Sequence, residues 1–350
     1  KFCLECLEKS RLSCHDPNLY ITGVAMKRVL ITTVPFGEKD KRPLELLDSK
    51  GIEYVINPLN RKLTELELAE LVTNFDAIIA GTEPISDFVM DNAKQLKFIS
   101  RVGIGLDSVD LLAAKKRGIA VSYTPDAPAP AVSELTIGLM LSLLRFTHIS
   151  NTHMHNGKWH RYFGRRLKEV TVGIIGFGRI GKGVLKHLEG FSCNKILVND
   201  VIEEVNVSSS LDVEWVDKDE IYRQADIITL HVPLTDLTKN MINKEQLLIM
   251  KKDAILINTS RGGIINEKDL FDILCKDHLS GVAIDVFQQE PYNGPLNTIE
   301  RCLLTAHMGS MSIDCRTAME VEATEEVVRF LTNKPLLGVV PEDEYAVQRM

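Results

Sequence analysis

The chain has 350 residues, of which 45% are hydrophobic and 25% are charged, and its formal net charge is −7. At about 150 residues per domain, this length predicts two domains, each large enough to bury its own core. The acidic balance argues against nucleic acid or an anionic membrane surface as the main partner. The longest apolar run, residues 135–144, is too short to span a bilayer, and the lack of an apolar signal segment predicts a cytoplasmic protein.

Residues 1–26 are interpreted as an amino-terminal extension that carries one cluster of candidate metal ligands. The seven cysteines of the chain are too few and too scattered for a disulfide scaffold. However, Cys3, Cys6, Cys14 and His15 combine a CxxC pair with a third thiol and an imidazole, which are ligands that zinc accepts. No core-forming periodicity surrounds them, so an extension without metal is the favoured interpretation.

From residue 27 onward, short apolar segments alternate with amphipathic ones. The predicted strands are 29–34, 54–57, 77–80, 98–101 and 120–122, and the predicted helices are 42–50, 63–72, 86–92 and 109–117. Strands that alternate with helices are typical of a parallel sheet. Three prolines between residues 124 and 130 should prevent a helix from forming across them, which predicts a domain boundary.

A long apolar helix is predicted at residues 132–144, and a polar helix should follow it to about residue 159. Apolar residues cover nearly every face of the first helix, so it should be buried either in its own domain or between subunits. We favour a subunit interface, and with it a homodimer.

Residues 171–200 have the pattern of a dinucleotide-binding unit. An apolar strand at 172–175 leads into Gly176-Phe177-Gly178-Arg179-Ile180-Gly181, and a periodic helix then runs to residue 190. Gly176 permits a tight turn, Gly178 lets backbone N–H groups approach a pyrophosphate, and Gly181 lets helix and strand pack closely. The phosphates would lie at the positive end of the helix.

The acid of this unit indicates which dinucleotide binds. A second strand at 196–198 ends just before Asp200, which lies 19 residues after Gly181. Dinucleotide-binding units place their ribose-binding acid at about this distance. A carboxylate accepts hydrogen bonds from a free 2′-hydroxyl but repels a 2′-phosphate, so NAD is favoured over NADP. A purely structural turn would not require this acid.

The rest of the chain continues the alternation. The predicted strands are 226–231, 254–258, 281–284 and 302–305, and the predicted helices are 217–224, 244–250 and 267–278. The last helix, 313–331, should return to pack on the first domain. The sequence thus predicts an α/β chain with two domains that enclose a hinged cleft. The backbone should pass twice from one domain to the other.

Ligands in such sheets lie beyond the carboxyl ends of the strands. In this chain those ends carry 101–105, 231–233, 259–263, Asp285 with Glu290, and His307. Hydride transfer to a 2-oxo acid needs a guanidinium for the carboxylate, an imidazole for the carbonyl oxygen and an acid that keeps the imidazole protonated.

Arg261, His307 and Glu290 supply this set. Taken one at a time, these residues could be a solvated arginine, a core histidine and a turn residue. Their occurrence together, after successive strands of one sheet, favours a functional site. His231 is interpreted as structural.

Five motifs in order, GFGRIG, ADIITLHVPLT, INTSRGGIINE, AIDVFQQEP and TAHMGS, resemble those of the D-isomer-specific 2-hydroxyacid dehydrogenase family. The resemblance covers about residues 27–337 and is nearest to the phosphoglycerate dehydrogenase and hydroxypyruvate reductase branch. It implies two doubly wound parallel-sheet domains that flank a cleft. A Rossmann NAD-binding domain would span 126–309, and a discontinuous, flavodoxin-like substrate domain would span 27–125 and 310–350.

The resemblance also implies a role for each residue of the site. Arg261 would anchor the substrate carboxylate, His307 would act as acid and base, and Glu290 would tune His307. The backbone N–H groups of Val102 and Gly103 would bind the same carboxylate. The residues implied to contact NAD are Gly176, Gly178, Arg179, Ile180, Gly181, Asp200, Pro233, Thr259, Ser260, Asp285 and Gly309.

Two departures from the family pattern bear on the substrate, for which 3-phosphoglycerate and the glycerate–hydroxypyruvate pair are the candidates. The segment after the third strand reads Ala80-Gly81-Thr82-Glu83-Pro84, where phosphoglycerate enzymes often carry Arg-Ser. A phosphate-binding cation is therefore missing there, and Arg101 or a loop lysine would have to replace it. In addition, the residues after 337 are too few for a carboxyl-terminal regulatory domain.

Two other functions remain open at this point. A corepressor that senses NAD(H) on the same fold would keep the same arginine, glutamate and histidine, although the acidic balance favours an enzyme. A relative that oxidises formate or phosphite would use a similar arginine and histidine. Formate enzymes usually have glutamine before the proline, so Glu290 argues against formate.

Overall fold

The computed structural model describes residues 27–203 and 207–347. The candidate zinc ligands Cys3, Cys6, Cys14 and His15 lie outside the described residues. The strands are β1 (Arg28–Ile31), β2 (Glu53–Ile56), β3 (Ala77–Ala80), β4 (Phe98–Arg101), β5 (Ala120–Tyr123), β6 (Thr171–Ile175), β7 (Lys195–Asn199), β8 (Val213–Trp215), β9 (Ile227–Leu230), β10 (Ile255–Asn258), β11 (Gly281–Ile284) and β12 (Cys302–Leu304).

The α-helices lie between these strands and after the last of them. They are α1 (Arg42–Ser49), α2 (Glu65–Leu71), α3 (Asp87–Asn92), α4 (Leu111–Arg117), α5 (Ala129–Leu144), α6 (Thr147–His155), α7 (Arg179–Glu189), α8 (Lys218–Gln224), α9 (Lys244–Ile249), α10 (Glu267–Leu274), α11 (Ile313–Leu331) and α12 (Glu342–Val347). No single helix in the described ranges is long and apolar enough to cross a membrane; only the bent pair α5–α6 reaches that length and composition together.

The strands form two parallel sheets. One has five strands in the order β2-β1-β3-β4-β5, and the other has seven in the order β12-β11-β10-β9-β6-β7-β8. All strand pairings within them are parallel. The order in which successive strands are added reverses between β1 and β3 in the first sheet, and between β6 and β9 in the second. The predicted α/β class with two doubly wound parallel sheets is confirmed.

The returning helix α11 packs on the five-stranded sheet and on α1. Its Met319, Ala323 and Val327 share an apolar cluster with Val29 and Phe98 of that sheet. The polypeptide therefore crosses twice between the regions of the two sheets. The domain limits at 125/126 and 309/310 stay a prediction.

The apolar helix after the prolines is longer than predicted. It begins at Ala129, and its first turn includes Pro130. Proline is tolerated there because the first N–H groups of a helix have no acceptor within the helix. The helix packs on α7, and most of its apolar side chains are buried within the same chain. Burial in its own domain thus accounts for its composition, and the homodimer stays a prediction.

Three further elements differ from the sequence interpretation. The polar helix α6 ends at His155, four residues before Trp159. Strand β8 was not predicted, because it is a three-residue edge strand with no fully buried position. Helix α12 was not predicted either, because its sequence is acidic and has no apolar periodicity.

Candidate active site

A cavity of about 830 Å³ lies where the carboxyl ends of the two sheets meet. The residues that follow β1 and β3 contribute Thr32 and Gly81 to its wall, and those that follow β6 and β9 contribute Gly178 and His231. The cavity therefore lies where the strand order of each sheet reverses, which is where ligands bind in doubly wound folds.

Most of the predicted site residues line this one cavity. They are Val102, Gly103, Gly178, Arg179, Ile180, Pro233, Thr259, Ser260, Arg261, Asp285, Glu290, His307 and Gly309. Gly176, Gly181 and Asp200 are not part of its wall. The two glycines belong to the turn that carries Gly178, and Asp200 lies beside that turn. Among the described residues, no group of three histidine, cysteine or acidic side chains is arranged to hold a metal ion.

His307 and Glu290 form a hydrogen-bonded pair at the cavity. Nδ1 of His307 lies 3.0 Å from Oε2 and 3.1 Å from Oε1 of Glu290, and the Phe287 N–H donates to Oε1 at 3.1 Å. Burial acts to raise the pKa of Glu290, but the hydrogen bond and charge of His307 outweigh it, so the pKa is lowered. An ionised Glu290 can only accept, so Nδ1 carries a proton and Nε2 is left for a ligand.

The loop that carries His307 is held by Asp285, which is fully buried. Oδ1 of Asp285 accepts hydrogen bonds from the Thr305 hydroxyl at 2.6 Å and the Met308 N–H at 2.7 Å, and Oδ2 accepts one from the Gly309 N–H at 2.9 Å. His307 itself has φ of 51°, in the left-handed region that non-glycine residues rarely adopt. Asp285 thus fixes an uncommon backbone conformation that presents the imidazole.

The turn that carries Arg261 is held by Asn258 at the end of β10. Oδ1 of Asn258 accepts from the Ser260 N–H at 3.1 Å and the Ser260 hydroxyl at 2.7 Å, and its Nδ2 donates to the Arg261 carbonyl at 2.8 Å. The Thr259 hydroxyl lies 3.0 Å from that of Thr136 in α5. These hydroxyls are therefore satisfied within the protein. Asn258 was missed in the sequence, although a polar residue that ends a buried strand was a usable signal.

The Arg261 guanidinium is fixed at two of its nitrogens. Nε donates to Oδ1 of Asp107 at 2.8 Å, and Nη1 donates to the Ser260 carbonyl at 2.7 Å. Nη2 lies directly over Gly105, and a Cβ placed on Gly105 would be only 1.4 Å from this nitrogen. A side chain at 105 would displace the guanidinium. Asp107 was also missed, since nothing in the sequence indicates which side chain it meets.

The backbone donors predicted at Val102 and Gly103 need correction. The Val102 N–H donates to the Ala80 carbonyl at 2.9 Å, and the Gly103 N–H donates to the Thr124 hydroxyl at 2.7 Å. The reason is that the pairing of β4 with β3 continues one residue past the strand, so the first amides beyond it are already used.

The next two residues of this loop, Ile104 and Gly105, make no N–H hydrogen bond within the described part of the chain. Both line the cavity, and Gly105 lies against Nη2 of Arg261. Two backbone donors that no described group uses and one guanidinium nitrogen therefore belong to the wall of the same cavity, and such groups can bind a carboxylate.

The glycine-rich turn fits a dinucleotide. Gly176 has φ of 96°, and a Cβ there would lie 2.4 Å from the His231 carbonyl oxygen; a Cβ on Gly181 would lie 2.2 Å from the Gly176 carbonyl oxygen. Protein packing requires both glycines. A Cβ on Gly178 would meet no protein atom within 4 Å, so the space in front of it is left for a ligand. No side chain caps the start of α7, whose N–H groups can therefore receive a phosphate.

Asp200 lies beside this turn at the end of β7. Its Oδ2 accepts from the Phe177 N–H at 2.5 Å, and its Oδ1 accepts from the Val201 N–H at 2.6 Å. The carboxylate is thus placed next to the segment expected to hold the pyrophosphate, as a ribose-binding acid requires. Its role stays a prediction.

Fold and cavity together define a two-domain α/β protein with a dinucleotide-type site, and known proteins identify its family. A family model for the D-isomer specific 2-hydroxyacid dehydrogenase, NAD binding domain, matches residues 137–309. The D-3-phosphoglycerate dehydrogenase of Methanocaldococcus jannaschii is 38% identical over 284 residues, which cover 79% of this chain and 54% of the relative. The hydroxypyruvate reductase of Thermotoga maritima is 34% identical over 303 residues, which cover 83% and 95%.

A similar solved structure is that of the NAD-dependent formate dehydrogenase from Staphylococcus aureus in complex with NAD, with 27% identity and a TM-score of 0.79 over 90% of this chain and 99% of that one. The chain belongs to the D-isomer specific 2-hydroxyacid dehydrogenase family, and the expectation of NAD as cofactor is confirmed. It spans about half the length of the M. jannaschii relative.

Gly178 and Gly181 make a matched pair of test positions. We expect Gly178→Ala to leave the free energy of unfolding within about 1 kcal/mol of the wild type, because its Cβ meets no protein atom, but to weaken NADH binding about tenfold. We expect Gly181→Ala to destabilise the fold by about 1–3 kcal/mol, because its Cβ meets a backbone oxygen. Thermal unfolding and NADH fluorescence titration measure both effects. Equal NADH affinity in Gly178→Ala and wild type would contradict the assignment.

Proposed function

We propose that the protein is an NAD-dependent oxidoreductase that interconverts a D-2-hydroxy acid and its 2-oxo acid. The observation that carries the proposal is one cavity whose wall holds Arg261, the His307–Glu290 pair and the open face of the glycine-rich turn. A corepressor on the same fold would keep the same three side chains, so turnover of NADH with a 2-oxo acid is the measurement that separates the two functions.

The substrate carboxylate would bind to Nη2 of Arg261 and to the N–H groups of Ile104 and Gly105. The positive charge of Arg101 supports this assignment, since its guanidinium is buried in the same cavity wall. Burial and the like charge of Arg261 lower the pKa of Arg101 to about 10, so Arg101 stays charged at neutral pH. Two cations on the substrate side of the cleft favour an anionic substrate.

His307 would exchange the proton of the reaction at Nε2. In the reducing direction it would donate that proton to the carbonyl oxygen, and in the oxidising direction it would take the hydroxyl proton. Glu290 would stabilise the protonated ring through Nδ1, because the carboxylate provides both an acceptor and a negative charge.

When bound, NAD supplies or accepts the hydride. Among the residues of the turn, Gly178, Arg179 and Ile180 would hold its phosphates at the start of α7, and Asp200 would hold the adenosine ribose. Gly176 and Gly181 would shape the turn that holds the phosphates, and the remaining residues that we propose to contact NAD are Pro233, Thr259, Ser260, Asp285 and Gly309.

Among the candidate substrates, we favour hydroxypyruvate and glycerate over the phosphorylated pair. Glu83 lines the cavity and is buried, and its carboxylate accepts hydrogen bonds from the Thr32 hydroxyl and from the Gly81 N–H. A carboxylate at this position repels a phosphate. An NADH oxidation assay with hydroxypyruvate, glyoxylate and phosphohydroxypyruvate tests the activity and ranks the three acids.

Replacing Arg261 should remove the anchor. We expect Arg261→Ala to lower kcat/KM for the preferred 2-oxo acid by about 100-fold or more, because a charge-assisted contact to the carboxylate is lost. Arg223→Ala, on an exposed face of α8, is the control and should keep the wild-type value. Unchanged kinetics in Arg261→Ala would remove this residue from the site.

Replacing Glu290 should make the activity more sensitive to alkaline pH. We expect Glu290→Gln to lower kcat for 2-oxo acid reduction, with a larger loss at pH about 8 than at about 6, because the protonated ring of His307 loses its counter-charge. The exposed Glu245→Gln serves as the control. A loss that is uniform across the pH range would argue that Glu290 only holds the ring in place.

Replacing Asp200 should affect cofactor choice. We expect Asp200→Ala to weaken NAD binding about tenfold while NADP binding is unchanged or improved, because only NAD has the hydroxyl that the carboxylate would bind. Calorimetric titration of both cofactors measures the ratio. Equal losses for NAD and NADP would place the ribose elsewhere.

A further inference from the structure

An ion pair connects the two sides of the cleft next to the proposed substrate anchor. Asp107 belongs to the loop between β4 and α4 of the five-stranded sheet region, whereas Arg261 follows β10 of the seven-stranded sheet. The side chains are 41% and 21% exposed, respectively, so the pair is only partly shielded from solvent. The contact exists only when the two regions face each other as they do here.

The pair restricts the orientation of the guanidinium. A guanidinium is planar, so hydrogen bonds at two nitrogens fix its plane and the direction of the third. Asp107 holds Nε and the Ser260 carbonyl holds Nη1, which leaves Nη2 over Gly105. Without Asp107, only the local bond to Ser260 would remain, and the side chain could turn about its long axis.

The charges around Asp107 suit this role. Burial acts to raise the pKa of Asp107, but the charge and hydrogen bond of Arg261, together with the charge of Arg101, outweigh it, so the pKa is lowered. Asp107 is therefore ionised across the neutral range and accepts a charge-assisted hydrogen bond from Nε.

We infer that Asp107 is a positioning residue that aims Nη2 of Arg261 at the substrate carboxylate from the opposite side of the cleft. This inference rests on the proposed function, because it assumes that Arg261 binds the substrate. It assigns Asp107 no contact with the reacting atoms. It also makes the alignment of the anchor depend on the other sheet region, since Asp107 and Arg261 belong to opposite sides of the cleft.

The test compares Asp107→Ala and Asp107→Asn, alone and combined with Arg261→Ala. We expect Asp107→Ala to raise KM and to lower kcat/KM for the preferred 2-oxo acid by about 10- to 100-fold, because the anchor is misdirected. Asp107→Asn keeps a neutral acceptor and should lose less, about three- to tenfold. In the Arg261→Ala background, Asp107→Ala should change kcat/KM by less than about twofold, because its effect passes through Arg261.

A control and two further measurements separate this role from a structural one. Asp110→Asn makes the same chemical change three residues later, where the side chain only caps α4 at the Ala113 N–H, and asparagine caps as well as aspartate. It should keep wild-type kinetics. Thermal unfolding and NADH affinity should be unchanged in Asp107→Asn, which shows that the fold and the cofactor site are intact.

Each remaining outcome would overturn the inference. A lower KM in Asp107→Ala would mean that Asp107 competes with the substrate for Arg261. Losses that add fully in the double variant would mean that Asp107 acts independently of Arg261. If the wild type oxidises NADH with none of the 2-oxo acids, the proposed function fails and this role fails with it. An active wild type with an unaffected Asp107→Ala refutes this role alone.

Discussion

The all-parallel order of the two sheets is the constraint on which the site depends. In a parallel sheet every strand ends at the same edge, so the loops that follow β4, β10 and β12 are brought to one cavity although they are far apart in the chain. The middle positions of the inner strands are buried and mostly apolar, and the buried Arg101 is the last residue of β4. Polar chemistry is therefore confined to the strand ends, and the two sheets facing each other make those ends the walls of a cleft.

Within this arrangement, short side-chain bonds fix the reactive groups. Asp285 holds the loop of His307, and Asn258 holds the turn of Arg261. Each makes two hydrogen bonds to backbone groups and one to a hydroxyl, so each acts as part of the scaffold. Asp107 differs from both, because its bond to Arg261 spans the cleft and not one loop. The orientation of a group in one domain thus depends on the position of the other.

Much of the architecture could be predicted from local patterns. Alternating apolar and amphipathic segments indicate the strands and helices of both sheets, and the spacing from Gly181 to Asp200 indicates the dinucleotide unit, because these signals depend on nearby residues only. The grouping of Arg261, Glu290 and His307 in one cavity could also be predicted, since each of them follows a predicted strand. Edge strand β8 and helix α12 were not predicted, because neither has an apolar periodicity that would indicate a buried face.

The errors concern contacts that are made in three dimensions. The amides of Val102 and Gly103 follow a strand end, as a carboxylate site requires, but the pairing with β3 and the Thr124 hydroxyl use them. Only the register of the folded sheet reveals that Ile104 and Gly105 are the available donors. In the same way, the sequence places Asp107 near Gly105 but gives no sign that it meets Arg261, which is 154 residues away in the chain.

The most direct test of this account is a crystal structure of the protein with NAD and oxalate, a dicarboxylate that resembles a 2-oxo acid. We expect one carboxylate of oxalate within hydrogen-bonding distance of Nη2 of Arg261 and of the Ile104 and Gly105 N–H groups, with Nε2 of His307 facing the other carboxylate. Oxalate bound elsewhere in the cleft, away from Arg261 and His307, would contradict this prediction.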